Sequence, residues 1–204
     1  PYGYPNTDWN KEVLLPRAWQ QMHSLTASGG SDKVKYFAGF GYVKQDALYG
    51  DTRTNKSTSG FNRYNARVNI DANIVDKYLN LSADMAYRQE DRNSIAGSTS
   101  DVFNNMHRNP QTDPGRFPDG NLGKVSLGVN PIGLATEGGW VKDRKSVLNT
   151  RFMLDFNVPG LEGLNLKGIF SYDKIFNSIK RWTTPVDFYV WNKITGEYDG
   201  HSPN

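Results

Sequence analysis

Over positions 61–75 apolar and polar side chains alternate, without a break from 63 to 74. Tyr64, Ala66, Val68, Ile70, Ala72 and Ile74 fall to one side, and Arg63, Asn65, Arg67, Asn69, Asp71 and Asn73 to the other. A helix of 3.6 residues per turn would mix these sets, whereas a strand keeps them apart, so the spacing predicts a strand. Positions 78–90 repeat the rule, with Leu79, Leu81, Ala83, Met85 and Tyr87 against Asn80, Ser82, Asp84 and Arg88. It recurs over 147–158, with Leu148, Phe152, Leu154, Phe156 and Val158, and over 164–176, with Leu164, Leu166, Phe170 and Tyr172. Weaker alternation over 33–43 and 19–28 adds two more strands. Residues 8–15 admit either one helical turn or an extended lead-in, because Pro16 stops a helix nearby.

The connections alternate as strictly as the side chains. Gly29-Gly30-Ser31-Asp32, Val75-Asp76-Lys77 and Pro159-Gly160-Leu161-Glu162-Gly163 read as tight turns. Between them lie the long segments 45–60, 91–146 and 177–204. In an up-and-down meander this gathers the short turns at one rim and the long loops at the other. Transmembrane β-barrels of the outer-membrane type have that asymmetry, with short periplasmic turns and long extracellular loops. Strands of about ten residues, tilted ~45°, are long enough to cross bilayer hydrocarbon. Aromatic residues near their ends (Tyr42, Phe61, Tyr64, Tyr78, Tyr87, Phe156, Tyr172, Phe176) would form girdles at the two interfaces.

Composition narrows the choice. Lys+Arg 24 against Asp+Glu 21 is too even for a nucleic-acid arm, and Cys 0 excludes disulfides, thiolate metal sites and a cysteine nucleophile. The opening Pro1-Tyr2-Gly3 carries no signal-peptide pattern, and no run approaches the ~20 apolar residues of a membrane helix. A mean hydropathy of −0.67 still fits a β-barrel, whose lipid-facing residues hide in alternation. Two arrangements share this pattern: apolar side chains out to lipid, or inward as in a soluble ligand-binding β-barrel or surface adhesin. The loop asymmetry and the mixed charges of the polar side favour the first. Tyr64, Val68, Ile70, Leu79, Leu81 and Leu154 are then lipid-facing, and Arg63, Arg67, Asp71, Asp84 and Arg88 line a wet lumen. Six strands cannot close a membrane barrel, whose smallest examples have ~8, so the expected fold is an all-β antiparallel meander forming part of a larger barrel.

Three motifs stand in order: Tyr4-Pro5-Asn6-Thr7-Asp8-Trp9, Gly29-Gly30-Ser31-Asp32-Lys33-Val34-Lys35-Tyr36-Phe37, and Arg63-Tyr64-Asn65-Ala66-Arg67-Val68-Asn69-Ile70-Asp71. The series resembles the SusC/RagA family of TonB-dependent outer-membrane transporters, closely over 4–87 and more loosely over 149–172. Ala66 and Ala47-Leu48 depart from that pattern without disturbing the faces. The resemblance implies a 22-stranded barrel with a plugged lumen in the cell outer membrane of a Gram-negative bacterium. It implies import of a nutrient, an oligosaccharide or peptide, under a SusD-like surface lipoprotein. Energy would come from the TonB-ExbB-ExbD complex through an N-terminal part that lies outside this sequence. Residues 1–17 would be the lead-in after the plug domain, 18–176 the first barrel strands, and 177–204 an extracellular loop cut short. Outer-membrane lipid is the remaining expected partner, and the lumen charges would contact the plug.

No catalytic set emerges, and neither an enzymatic role nor a cofactor is expected. His23, His107 and His201 have no ligand spacing to one another, Gly39-Phe40-Gly41 lies inside a strand, and 51–55 lacks the Gly and Glu of a calcium loop. Trp140, Trp182, Tyr189 and Trp191 fall in expected extracellular segments, where aromatic rings stack on sugars or anchor a lid protein. Asn104, Asn105, Arg108 and Arg116 of the longest loop are weaker candidates for the same contacts.

Overall fold

The structure, a computed structural model, describes residues 5–203. Tyr4 of the first motif and the side chain of His201 lie outside the described residues. Six strands form one antiparallel sheet in sequence order: β1 (Gln20–Gly30), β2 (Val34–Asp46), β3 (Gly60–Val75), β4 (Leu79–Ile95), β5 (Gly139–Asn157) and β6 (Asn165–Thr183). A separate hairpin pairs β7 (Asp187–Trp191) with β8 (Tyr198–Pro203). Three short helices complete the chain, α1 (Trp9–Val13), α2 (Thr99–Arg108) and α3 (Pro131–Thr136). Among the described residues no helix is long and apolar enough to cross a membrane.

The register aligns the alternating patterns of all six strands. Ile70 faces Tyr36 on β2 and Ala83 on β4, Ala83 faces Phe152 on β5, and Phe152 faces Phe170 on β6. The next row runs Ala27, Ala38, Val68, Met85, Thr150 and Tyr172. Because the side-chain period is two, this register puts every apolar set on one face and every charged set on the other. Thr150 and Lys174 are polar members of the apolar face, and Thr150 donates its hydroxyl to the Tyr172 carbonyl at 2.8 Å.

Strands run past the predicted ends at the long-loop rim. β4 continues from 90 to Ile95, β5 starts at Gly139 rather than 147, and β6 reaches Thr183 rather than 176. Alternation fails there for a physical reason. Arg88, Gln89, Glu90, Asp91, Arg92 and Asn93 are polar on both faces, so backbone pairing continues with no hydrophobic pattern to mark it. Gly139 opens β5 at φ 101, a conformation that suits glycine, and a Cβ there would run into the Trp182 carbonyl. Phe61 also differs from expectation. It falls on the polar face, opposite Gln45 and Arg92, with the Arg92 guanidinium 6.0 Å from its ring centroid.

The long segments are not irregular. The core of the chain lies among them, built from Trp9, Val13, Tyr49, Ile95, Val102, Met106, Leu122, Val125, Ile132, Ala135, Val186 and Phe188. Each helix is started by a polar N-cap: Asp8 accepts from Lys11 N, Ser98 from Ser100 N, and Asn130 from Ile132 N. The lead-in joins this rim unit, since Thr7 N donates to Gln111 O at 2.8 Å and Leu15 N to Leu48 O at 2.7 Å. The chain therefore enters β1 from the long-loop rim, and α1 is the helical turn of the two conformations open to residues 8–15. Residues 177–203 are likewise folded, as the last residues of β6 and the β7–β8 hairpin, in the stretch expected to be an extracellular loop cut short.

Candidate functional site

The polar face carries the first candidate site. Arg63, Arg67 and Asp71 on β3 share it with Asp84 and Arg88 on β4. Asp84 accepts from the Asn69 side-chain amide and from Arg151 on β5, at 3.0 Å from Nε and 2.5 Å from Nη2. One carboxylate thus ties three neighbouring strands. Asn149 extends the network to β6 by donating to Asp173 at 2.7 Å. Arg88 pairs along its own strand with Glu90 at 3.4 Å. Among the described residues Arg63, Arg67 and Asp71 make no ion pair, so this face keeps unspent charge of both signs. A groove of ≈ 340 Å³ runs between Arg67, Asp84, Asn149, Arg151 and Asp173. Alternation over 147–158 already puts Arg151 on the polar side, but its place beside Asp84 was not legible, because the β4–β5 register depends on the folded length of the intervening segment.

The opposite face is apolar and open. Tyr64, Val68, Ile70, Leu79, Leu81 and Leu154 all lie on it, with Val68 42% exposed, Ile70 40% and Phe170 62%. Towards the long-loop rim it ends in a row of rings, His23 stacked on Tyr42 at 6.2 Å and Tyr42 tilted against Tyr64 at 5.1 Å. His23 is therefore part of an aromatic row. His107 is equally structural, its Nδ1 being 2.7 Å from the Phe103 carbonyl one helical turn back.

The four loop aromatics separate into two places. Trp140 and Trp182 are partners across β5 and β6, on the same side of the sheet as Val68 and beyond the row of rings. Tyr189 and Trp191 are on β7, each packed against Tyr198 with ring centroids 5.4 Å and 5.1 Å away. Phe117 completes that cluster, 5.4 Å from Tyr198, whose hydroxyl donates to Asp119. That bond holds the Asp119 carboxyl below the usual carboxylate range. Phe117 and Tyr198 carried no sequence signal, since short strands and loops leave no period to read. Two of the weaker candidates are structural. Arg116, its side chain 10% exposed, donates to Gly120 O and pairs with Glu137, and Asn105 accepts from Val129 N at 2.9 Å. Asn104 and Arg108 are exposed on α2.

In the 47–59 connection, Asp51 accepts from Arg53 N at 3.0 Å and Arg53 Nε at 3.2 Å. The Arg53 side chain holds the Asp51 carboxyl below its ordinary value. A depressed carboxyl stabilises the folded loop above its unfolded pKa of ~3.9, and that stability is lost as pH falls through the folded value. Hydrogen exchange over 47–59 should accelerate below about pH 4 by an amount worth under ~1 kcal/mol. In Asp51→Asn the exchange should be fast at every pH; an unchanged acid transition in that variant would assign it elsewhere.

Among the described residues no group of three His, Cys, Asp or Glu side chains could hold a metal ion. No family model matches the chain, and no curated protein matches it.

Proposed function

We propose that this chain is part of the barrel of a TonB-dependent outer-membrane transporter of the SusC/RagA kind, importing a nutrient such as an oligosaccharide or peptide. The observation that carries the proposal is the uncovered apolar face, continuous over six strands and bordered by rings. On β3 it runs from Tyr64 to Ile74, and ten steps of ~3.3 Å tilted by ~40° rise about 25 Å, the height of the lipid-facing band of such barrels. The edges support the same reading. Every residue of β1 and of β6 is exposed, and β6 offers nineteen residues of unpaired backbone edge beside Phe170, Tyr172 and Phe176. Long apolar edges invite pairing, and in hydrocarbon an unpaired backbone group costs several kcal/mol, so further strands belong on both sides. The family's 22-stranded closure would supply them.

The polar face then lines the lumen, and Arg63, Arg67 and Asp71, without ion partners of their own, are suited to a plug domain. The rim unit is extracellular, and its Phe117–Tyr189–Trp191–Tyr198 cluster is where a SusD-like lipoprotein or the substrate would make contact. Trp140 and Trp182, on the other face, belong to the membrane side. Coupling to TonB-ExbB-ExbD would run through the plug.

Fractionation of cells expressing the full-length protein tests the proposal. It should remain in the outer-membrane fraction after alkaline washing and leave it only with detergent. A monodisperse protein in detergent-free buffer would instead favour the soluble ligand-binding barrel or adhesin.

A further inference from the structure

Beyond the row of rings the apolar face turns polar and basic. Lys44, Asn62, Asp91, Arg144 and Ser178 follow one another across β2 to β6 in one row, and Asp46, Asn93, Lys142 and Lys180 mark the next. Lys142 and Lys180 are direct partners on neighbouring strands, and like charges so placed destabilise the pairing. The two acids in these rows are committed elsewhere, Asp91 to Arg144 at 2.6 Å and Asp46 to Lys44 at 3.8 Å. Among the described residues neither Lys142 nor Lys180 makes an ion pair. The Lys142 ammonium lies 4.6 Å from the Trp140 ring centroid instead. Between them opens a groove of ≈ 400 Å³, with donors from Asn62, Asn93, Lys142, Arg144, Ser178 and Lys180. Asp91 and Asp143 also border it; Arg144 offsets the first, and the second belongs to the opposite face by alternation, its Oδ1 buried without a hydrogen-bond partner among the described residues.

We infer that this groove binds the phosphate of an anionic lipid headgroup in the leaflet at the long-loop rim. The inference rests on the membrane reading above and adds a ligand to it. A like-charge pair facing one groove is relieved by an anion between the two ammonium groups. The surface below the groove selects a lipid over a free anion. Phe176, Tyr87 and Leu148 continue the same face towards the tight turns, so a molecule with a phosphate at the groove would lay acyl chains along them. Lys174 lies in the row of Tyr87 and Leu148, on the tight-turn side of Phe176, with its ammonium 5.4 Å from the Phe176 ring centroid.

The test uses the full-length protein in phosphatidylcholine vesicles with and without bis-phosphorylated lipid A. Lipid A retained after transfer to neutral detergent is counted by native mass spectrometry. Wild type should retain it. Lys142→Gln combined with Lys180→Gln should lower the affinity about thirtyfold, at about fivefold per lysine near an anionic surface. Lys180→Gln alone should give about fivefold, which keeps the test open if the double variant does not fold. In lipid-free detergent the variants should melt no earlier than wild type, because the repulsion is gone, and only wild type should gain strongly from lipid A. Equal retention by wild type and variants that both float with the vesicles would overturn the lipid site and leave the membrane reading standing. Failure of the wild type to float would overturn both. Displacement of lipid A by equimolar inorganic phosphate would show a free-anion site, contrary to the inference.

Discussion

Val68→Arg should destabilise the proposed membrane barrel by about 2–4 kcal/mol, the cost of an arginine on a lipid-facing site near the bilayer midplane. Asn69→Arg, one residue on, should cost well under 1 kcal/mol. Val68 sits in the row Ala27, Ala38, Val68, Met85, Thr150 and Tyr172, inside the apolar band, 42% exposed with no protein above it. Asn69 is on the other face with its amide on Asp84, a position where a guanidinium can also donate. Urea titration of the full-length protein in phospholipid vesicles, followed by heat-modifiable gel mobility, measures both costs. The reverse ranking would contradict the face assignment.

That ranking alone does not separate lipid from a dry protein interior, because arginine is expensive in either. Spin labels do. The chain has no cysteine, so Val68→Cys and Asn69→Cys each give one labelled site within it. A label at 68 should be reached by oxygen dissolved in the hydrocarbon and shielded from a water-soluble nickel chelate, and a label at 69 should show the opposite. A label at 68 reached by neither would place it in a protein core and remove the basis of the transporter reading.

The faces were legible in the sequence because a period of two survives wherever one side of a strand meets an apolar medium and the other meets water. Arg63, Arg67, Asp71, Asp84 and Arg88 were gathered by parity alone, as were Val68, Ile70, Leu81 and Leu154. The ends of the strands were not legible, since beyond the row of rings both faces of β4 and β5 carry polar residues and the pattern stops while the ladder continues. That is why Trp140 and Trp182 read as loop residues although they are partners on adjacent strands. The rim unit was invisible for another reason. Its core joins Trp9, Tyr49, Val102, Leu122 and Phe188, which are distant in sequence, and no local rule announces such contacts. Its helix starts left marks, Asp8, Ser98 and the Asn130-Pro131 pair, but a cap shows where a helix begins and not what it packs on.

The rim unit should depend on Asn130 more than on any single apolar contact. Asn130 is 1% exposed and both accepts and donates through its side chain. Its Oδ1 accepts from Ile132 N at 3.0 Å, capping α3, while its Nδ2 donates to Gly115 O at 2.7 Å and Gly123 O at 2.8 Å. These bonds fasten α3 to the 115–123 segment, which carries Phe117 and, through Lys124 N on Tyr189 O, the β7 strand. Asn130→Ala removes the cap and takes a donor from both carbonyls; Gly115 O keeps the Gly123 N–H at 3.1 Å, but Gly123 O is left without one, a loss of about 2–4 kcal/mol. Asn130→Asp keeps a capping oxygen but turns acceptors, one of them charged, towards those carbonyls, and should be no better. Limited proteolysis of the full-length protein should then cut within 109–130 in both variants, with exchange at the 115 and 123 amides becoming fast. The six-strand sheet should keep its heat-modifiable mobility, because its ladder shares no bond with Asn130. Resistance to protease in Asn130→Ala would mean that the apolar core alone holds the unit, and co-loss of sheet and rim would mean that the two fold as one.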